Sequence, residues 1–106
     1  MHDFSGPAHI ISVFDDIDIY NAPAFEAEVE SAARSPFVVI DLSDCHYMES
    51  SGIAVLIRAY KRFGARLRIV VAAGSNIERV LRMTNLREKL PVAASRDEAL
   101  ALRSAS

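Results

Sequence analysis

Met48-Glu49-Ser50-Ser51-Gly52 separates a short apolar run from a helical pattern, and the change of period across it decides the fold. Upstream, Phe37-Val38-Val39-Ile40-Asp41-Leu42 has the length and β-branched content of a buried strand. Downstream, Ile53, Leu56, Ile57, Tyr60 and Phe63 recur at helical spacing, with Arg58, Lys61 and Arg62 falling mainly on the opposite side. The five residues therefore turn a strand into a helix. Ser50 or Ser51 is the expected N-cap, because a serine oxygen accepts from a first-turn N–H that lacks an intrahelical partner. Gly52 permits a tight turn or a close approach by a partner.

Working outward, Ala8 to Phe14 reads as a strand ended by Asp15-Asp16. Asn21 is a plausible N-cap with Pro23 in the first turn, and Ala22, Phe25, Val29, Ala32 and Ala33 follow a helical stripe that Ser35-Pro36 closes. Beyond the central helix, Gly64 marks a turn, Leu67 to Ala72 supplies a further apolar strand, and Gly74 breaks it. Ser75-Asn76-Ile77-Glu78 and Ser95-Arg96-Asp97-Glu98 both fit the capping box, in which the serine accepts from one N–H and the glutamate reaches back to another. The first opens a helix with Ile77, Val80, Leu81 and Thr84 inward and Asn85 as its stop; the second opens a closing helix through Leu102. Between them, Leu90-Pro91-Val92-Ala93 can form only a short peripheral strand. Strands alternating with helices predict an α/β domain with a mainly parallel sheet, because parallel neighbours need long crossovers.

The chain has 106 residues, suited to one domain with a core of its own. Residues 1–7 read as a loose arm, 8–102 as the domain and 103–106 as a frayed tail. Twelve Lys and Arg against fourteen Asp and Glu leave a net charge of −2 and no basic stripe, which argues against DNA or RNA as a partner. No apolar stretch reaches the roughly 20 residues that cross a bilayer, so no membrane insertion is expected. With a single cysteine, Cys45, no internal disulfide can form, and with no leader in evidence a cytoplasmic location is expected.

Around the central loop the chain resembles the STAS family, the domain of anti-sigma factor antagonists and of sulfate-transporter tails. The resemblance covers roughly Ala8 to Leu102. It rests on Glu49-Ser50-Ser51-Gly52 after a strand ending in Asp41-Leu42, on Asp16-Ile17-Asp18 ahead of the first helix, on Ile77 to Leu90, and on Asp97-Glu98-Ala99-Leu100. Three features depart from the family: Glu49 stands where Asp is usual, Asp15 and Asn85 stand where glycine is common, and the arm before Ala8 is short. Asn and Asp tolerate left-handed backbone best among non-glycine residues, so both replacements are compatible with the fold. The resemblance implies a central, mixed but mainly parallel sheet of about four strands flanked by about four helices.

It also implies a function. In the bacterial antagonists the first loop serine is phosphorylated by a partner kinase, which places the acceptor at Ser50, with Ser51 as the alternative. By position alone Ser50 is a plain N-cap; the resemblance makes it a switch. Asp16, Asp18, Glu49, Ser51 and Gly52 become candidate partner-binding residues, and Val55, Ala59 and Arg62, which lie off the main apolar stripe, extend that face if they are exposed. The implied partners are an anti-sigma factor that is also a serine kinase, and a phosphatase. No cofactor, metal or small-molecule ligand is expected: there is no zinc-like Cys/His spacing and no phosphate-cradling loop. His2, His9 and His46 form no base-and-orienter pattern beside a serine, so no enzyme activity is expected either. Two other readings stand beside this one: a non-phosphorylated STAS subunit of a lipid-transport ATPase complex, and a small nucleotide-binding sensor module.

Overall fold

The computed structural model describes residues 7–102. The arm (apart from Pro7) and the tail read from the sequence lie outside them. Strand β1 (Ala8–Ser12) is followed by α1 (Ala22–Glu30), β2 (Phe37–Asp41), α2 (Ser50–Phe63), β3 (Leu67–Val70), α3 (Asn76–Met83), β4 (Val92–Ala93) and α4 (Arg96–Leu102), with a single 3₁₀ turn over Gly64–Arg66. The strands lie in the order β1-β2-β3-β4, and every pairing is parallel. Each crossover thus carries a helix or a helical loop back to the start of the next strand, as parallel pairing demands.

Burial explains the strand sequences. All five β2 residues are buried because β2 is central and both sheet faces are covered. Its alternate residues divide between two cores. Val38 and Ile40 join Phe25, Val29, Leu56, Phe63, Leu67, Ile69, Ile77 and Leu81 on the side of α1, α2 and α3. Phe37 and Val39 join Val70, Ala93 and Ala99 beneath α4. The two-residue β4 sits at the sheet edge after Pro91, whose carbonyl accepts from Ile69 N–H at 2.9 Å.

Several element ends differ from the sequence expectation. Strand β1 stops at Ser12, leaving Phe14 68% exposed. Helix α1 stops at Glu30 and gives way to turns, although Ala32 remains fully buried. In α3, Thr84 lies at the C-cap rather than in the inward stripe, and its exposed hydroxyl donates back to the Val80 carbonyl at 2.8 Å. Both capping serines accept from the expected N–H, Glu78 at 3.2 Å and Glu98 at 3.1 Å. Each glutamate, however, reaches one residue further back, to Gly74 N–H at 2.8 Å and Ala94 N–H at 3.1 Å. Asn85 does take up a left-handed conformation, with φ 62°, the one described non-glycine residue to do so; Asp15 does not.

Among the described residues one charged side chain is buried in this frame. Asp41, at the C-terminal end of β2, is 5% exposed. Its carboxylate accepts from Ser43 N–H at 2.9 Å and Ser43 Oγ at 2.7 Å, and pairs with Arg96, the first residue of α4. Arg96 also donates to Ser12 Oγ at 2.6 Å, so one guanidinium ties α4 to the ends of two strands. Burial pushes the Asp41 pKa up, but the hydrogen bonds from Ser43 and Arg96 outweigh it and the net shift is downward. A depressed pKa contributes stability that is complete above the ordinary aspartate value and is lost as pH falls through the folded-state value. Urea midpoints measured on acidification are expected to fall across that window, and Asp41→Ala is expected to flatten the fall while costing about 2 kcal/mol at neutral pH.

Candidate functional site

Because β1 and β2 are parallel neighbours, the segments leaving their C-terminal ends, 13–21 and 42–49, emerge side by side. Their backbones are joined directly. Ile17 and Met48 form a parallel bridge, with Ile17 N–H donating to the Tyr47 carbonyl at 3.0 Å and Glu49 N–H to the Ile17 carbonyl at 2.9 Å. Two of the acids singled out in the sequence complete the tie, and a third braces its own segment. Asp16 Oδ1 accepts from Tyr47 N–H at 3.1 Å, and Glu49 Oε1 accepts from Ile19 N–H at 3.2 Å. Asp18 Oδ1 accepts from Tyr20 and Asn21 N–H at 2.8 and 3.0 Å, closing a turn of the Asx type. These carboxylates therefore shape the site from within. Asn76, at the start of α3, joins from a third segment by donating to the His46 carbonyl at 3.3 Å.

The start of α2 differs from the cap that the sequence led one to expect. Glu49, in an extended conformation, is the N-cap, its carbonyl accepting from Gly52 and Ile53 N–H, and no side chain caps the helix. Ser50 is the first helical residue and is exposed; Ser51 is the second. The α2 N-terminus thus has neither a side-chain cap nor an acidic residue in its first turn. Such an end retains donors and a partial positive charge available to an anion.

Ser51 is half-buried, lining a groove between α1 and α2, and Gly52 is buried. The Ser51 hydroxyl is sealed from solvent and has no hydrogen-bond partner among the described residues. That burial opposes its role as the alternative phosphate acceptor. A buried hydroxyl without a partner is a cost that alanine removes, so Ser51→Ala is expected to stabilise the domain by about 1 kcal/mol in urea denaturation. At Gly52 a Cβ atom would lie 2.4 Å from Met48 Cγ and 2.8 Å from Ile17 Cγ2. The glycine is required for close packing inside the domain.

Val55 and Ala59 correct the sequence expectation too. They are 1% and 4% exposed, so neither side chain extends an outward face. Helix α2 packs against both α1 and β3, which makes its buried face Gly52, Val55, Leu56, Ala59 and Phe63, while Tyr60 is left 38% exposed. Arg62 is exposed but pairs with Glu30 of α1 at 3.3 Å. Arg58 grips Glu26 with contacts of 2.6 and 3.0 Å, and its hydrogen bond holds the Glu26 pKa below the ordinary value.

What the sequence reading missed is apolar. Ile19, Tyr20 and Tyr47 are 65%, 90% and 48% exposed, and all three lie on the cross-tied segments beside Ser50. Their only sequence signal is an isoleucine and two tyrosines inside polar loops. A groove of about 330 Å³ descends from Ile19 between α1 and α2, lined by Ala22, Pro23, Ala54 and Val55 among others. Cys45 is buried as expected, its thiol pKa pushed up by desolvation. Among the described residues no group of three or more His, Cys, Asp or Glu is placed to hold a metal ion, and no helix is long and apolar enough to cross a membrane.

Comparison with known proteins agrees with this architecture. The crystal structure of an anti-sigma factor antagonist from Mycobacterium paratuberculosis superposes with a TM-score of 0.80 at 29% identity, over 94% of this chain and 87% of that one. That of a putative anti-sigma factor antagonist from Thermotoga maritima superposes with a TM-score of 0.74 at 22% identity, over 89% and 85% of the two chains, and shares the fold. A model of the STAS domain matches residues 3–99, and with that match spanning nearly the whole sequence, the chain belongs to the STAS domain family.

Proposed function

We propose that this domain is an anti-sigma factor antagonist that works by partner switching, with Ser50 as its phosphorylated residue. The observation that carries the reading is Ser50 itself, an exposed residue at the first position of an uncapped helix, beside two loops joined by a backbone bridge. Unphosphorylated, the domain binds an anti-sigma factor that is also a serine kinase, and the sigma factor is released. The kinase brings ATP to the same place: Ser50 Oγ attacks the γ-phosphorus, the bond to the β,γ-bridging oxygen breaks, ADP leaves, and the hydroxyl proton passes to a base on the kinase. The domain is the substrate and contributes no catalytic group.

Phosphate changes binding without unfolding the domain. It adds about −1.5 to −2 charges at a helix N-terminus that accepts negative charge. In the complex, however, the phosphorylated side chain and the γ-phosphate of newly bound ATP compete for one volume with like charge. A separate phosphatase then restores the hydroxyl. Incubation with the cognate kinase and ATP, followed by peptide mass spectrometry, is expected to place a single phosphate on Ser50 and none on Ser50→Ala. Phosphate elsewhere, or undiminished modification of Ser50→Ala, overturns the assignment.

A further inference from the structure

We propose that Ile19, Tyr20 and Tyr47 are the anchors of a docking face that fits an apolar socket rimmed by Lys and Arg on the anti-sigma partner. The proposal rests on the function put forward above and specifies where and how that partner is held. Three observations carry it. The side chains are large, apolar or aromatic, and exposed, on segments whose neighbouring residues are otherwise engaged in hydrogen bonds. Tyrosine is enriched among residues that dominate binding energy, because it buries much area at little conformational cost. Both segments are locked before binding by the Ile17–Met48 bridge and by Asp16, Asp18 and Glu49, so little further ordering opposes association.

Charge selects the occupant. Segments 14–21 and 43–50 hold five of the fourteen acidic residues, Asp15, Asp16, Asp18, Asp44 and Glu49, and none of the twelve Lys and Arg. The rest of the chain has more basic than acidic residues, so the negative charge is concentrated where the anchors are. A second copy docking through the same face would set these carboxylates against one another; a basic partner surface complements them. Glu49 has a particular part in this. Its side chain spans to Ile19 N–H, so the segment carrying Tyr47 and Ser50 also fixes the segment carrying Ile19 and Tyr20.

The test titrates the 106-residue chain, in the presence of ADP and magnesium, against each purified serine-kinase anti-sigma factor encoded in its source genome. Wild type, Ile19→Ser, Tyr20→Ala and Ser50→Asp are compared, with circular dichroism to check folding. The expected result is that Ile19→Ser and Tyr20→Ala each weaken binding by about tenfold or more with the fold intact, and that wild-type association slows as ionic strength rises. If Ser50→Asp abolishes binding while Ile19→Ser and Tyr20→Ala bind as the wild type does, the docking face is overturned and the switch stands. Association insensitive to salt overturns the basic rim. If no kinase on the panel binds the wild type, the functional reading falls and this face with it.

Discussion

Ser50→Asp is expected to lower affinity for the cognate kinase by about a hundredfold or more while leaving the domain as stable as the wild type, or slightly more so. The two effects separate because they arise from different surroundings. In the free domain the new carboxylate meets the positive end of α2, where an acid contributes about 0.3–1 kcal/mol of stability, and α2 has no acid in its first turn to compete with it. In the complex the same charge is desolvated against the partner, where an unpaired buried charge costs about 2–5 kcal/mol. Ser50→Ala, unable to accept phosphate, is expected to bind like the unmodified protein and to stay bound after prolonged incubation with ATP. Calorimetry for affinity and thermal denaturation for stability read the two arms independently. Equal binding by wild type, Ser50→Asp and Ser50→Ala would move the switch away from this residue.

Gly52→Val is expected to destabilise the fold by about 3 kcal/mol, a large effect for one helix position. Alanine at this site would gain up to about 1 kcal/mol of helix propensity over glycine. Its Cβ would nevertheless collide with Met48 and Ile17, so even Gly52→Ala is expected to lose stability. Valine adds two methyl groups to the same crowded space. The colliding residues are the two halves of the bridge that holds the site together, so the damage is local as well as global. Hydrogen exchange at the Ile17 and Glu49 amides, which donate across that bridge, is expected to speed up more than exchange in β2. Wild-type stability in Gly52→Ala would show that the loops have room to yield.

Much of the architecture was legible because period and punctuation agree. The change from the apolar run 37–42 to helical spacing after Gly52, the Ser75 and Ser95 caps, and the Asn85 stop each appear at or within a few residues of where the chain places them. Helix faces were less legible. The stripe Ile53, Leu56, Ile57, Tyr60 and Phe63 gave way to a buried face that includes Val55 and Ala59, because hydrophobic spacing cannot register that α2 touches a sheet and another helix at once. Nor could spacing find the Arg96–Asp41 pair, whose members are 55 residues apart, or show that Ser50 is exposed while the hydroxyl of its neighbour is sealed in.

The sequence by itself determined the α/β class, the alternation of strands and helices, the family, and the loop that bears the candidate serine, since all of these follow from local propensity and from residues adjacent in the chain. Tertiary structure alone decided that Asp16, Asp18 and Glu49 serve the backbone and that Val55 and Ala59 belong to the core. It alone brought Ile19 and Tyr20 to the loop that carries Tyr47 and Ser50. The physical reason is the parallel pairing of β1 with β2, which brings two loops about thirty residues apart to the C-terminal end of the sheet and lets each fill the other's hydrogen-bonding needs.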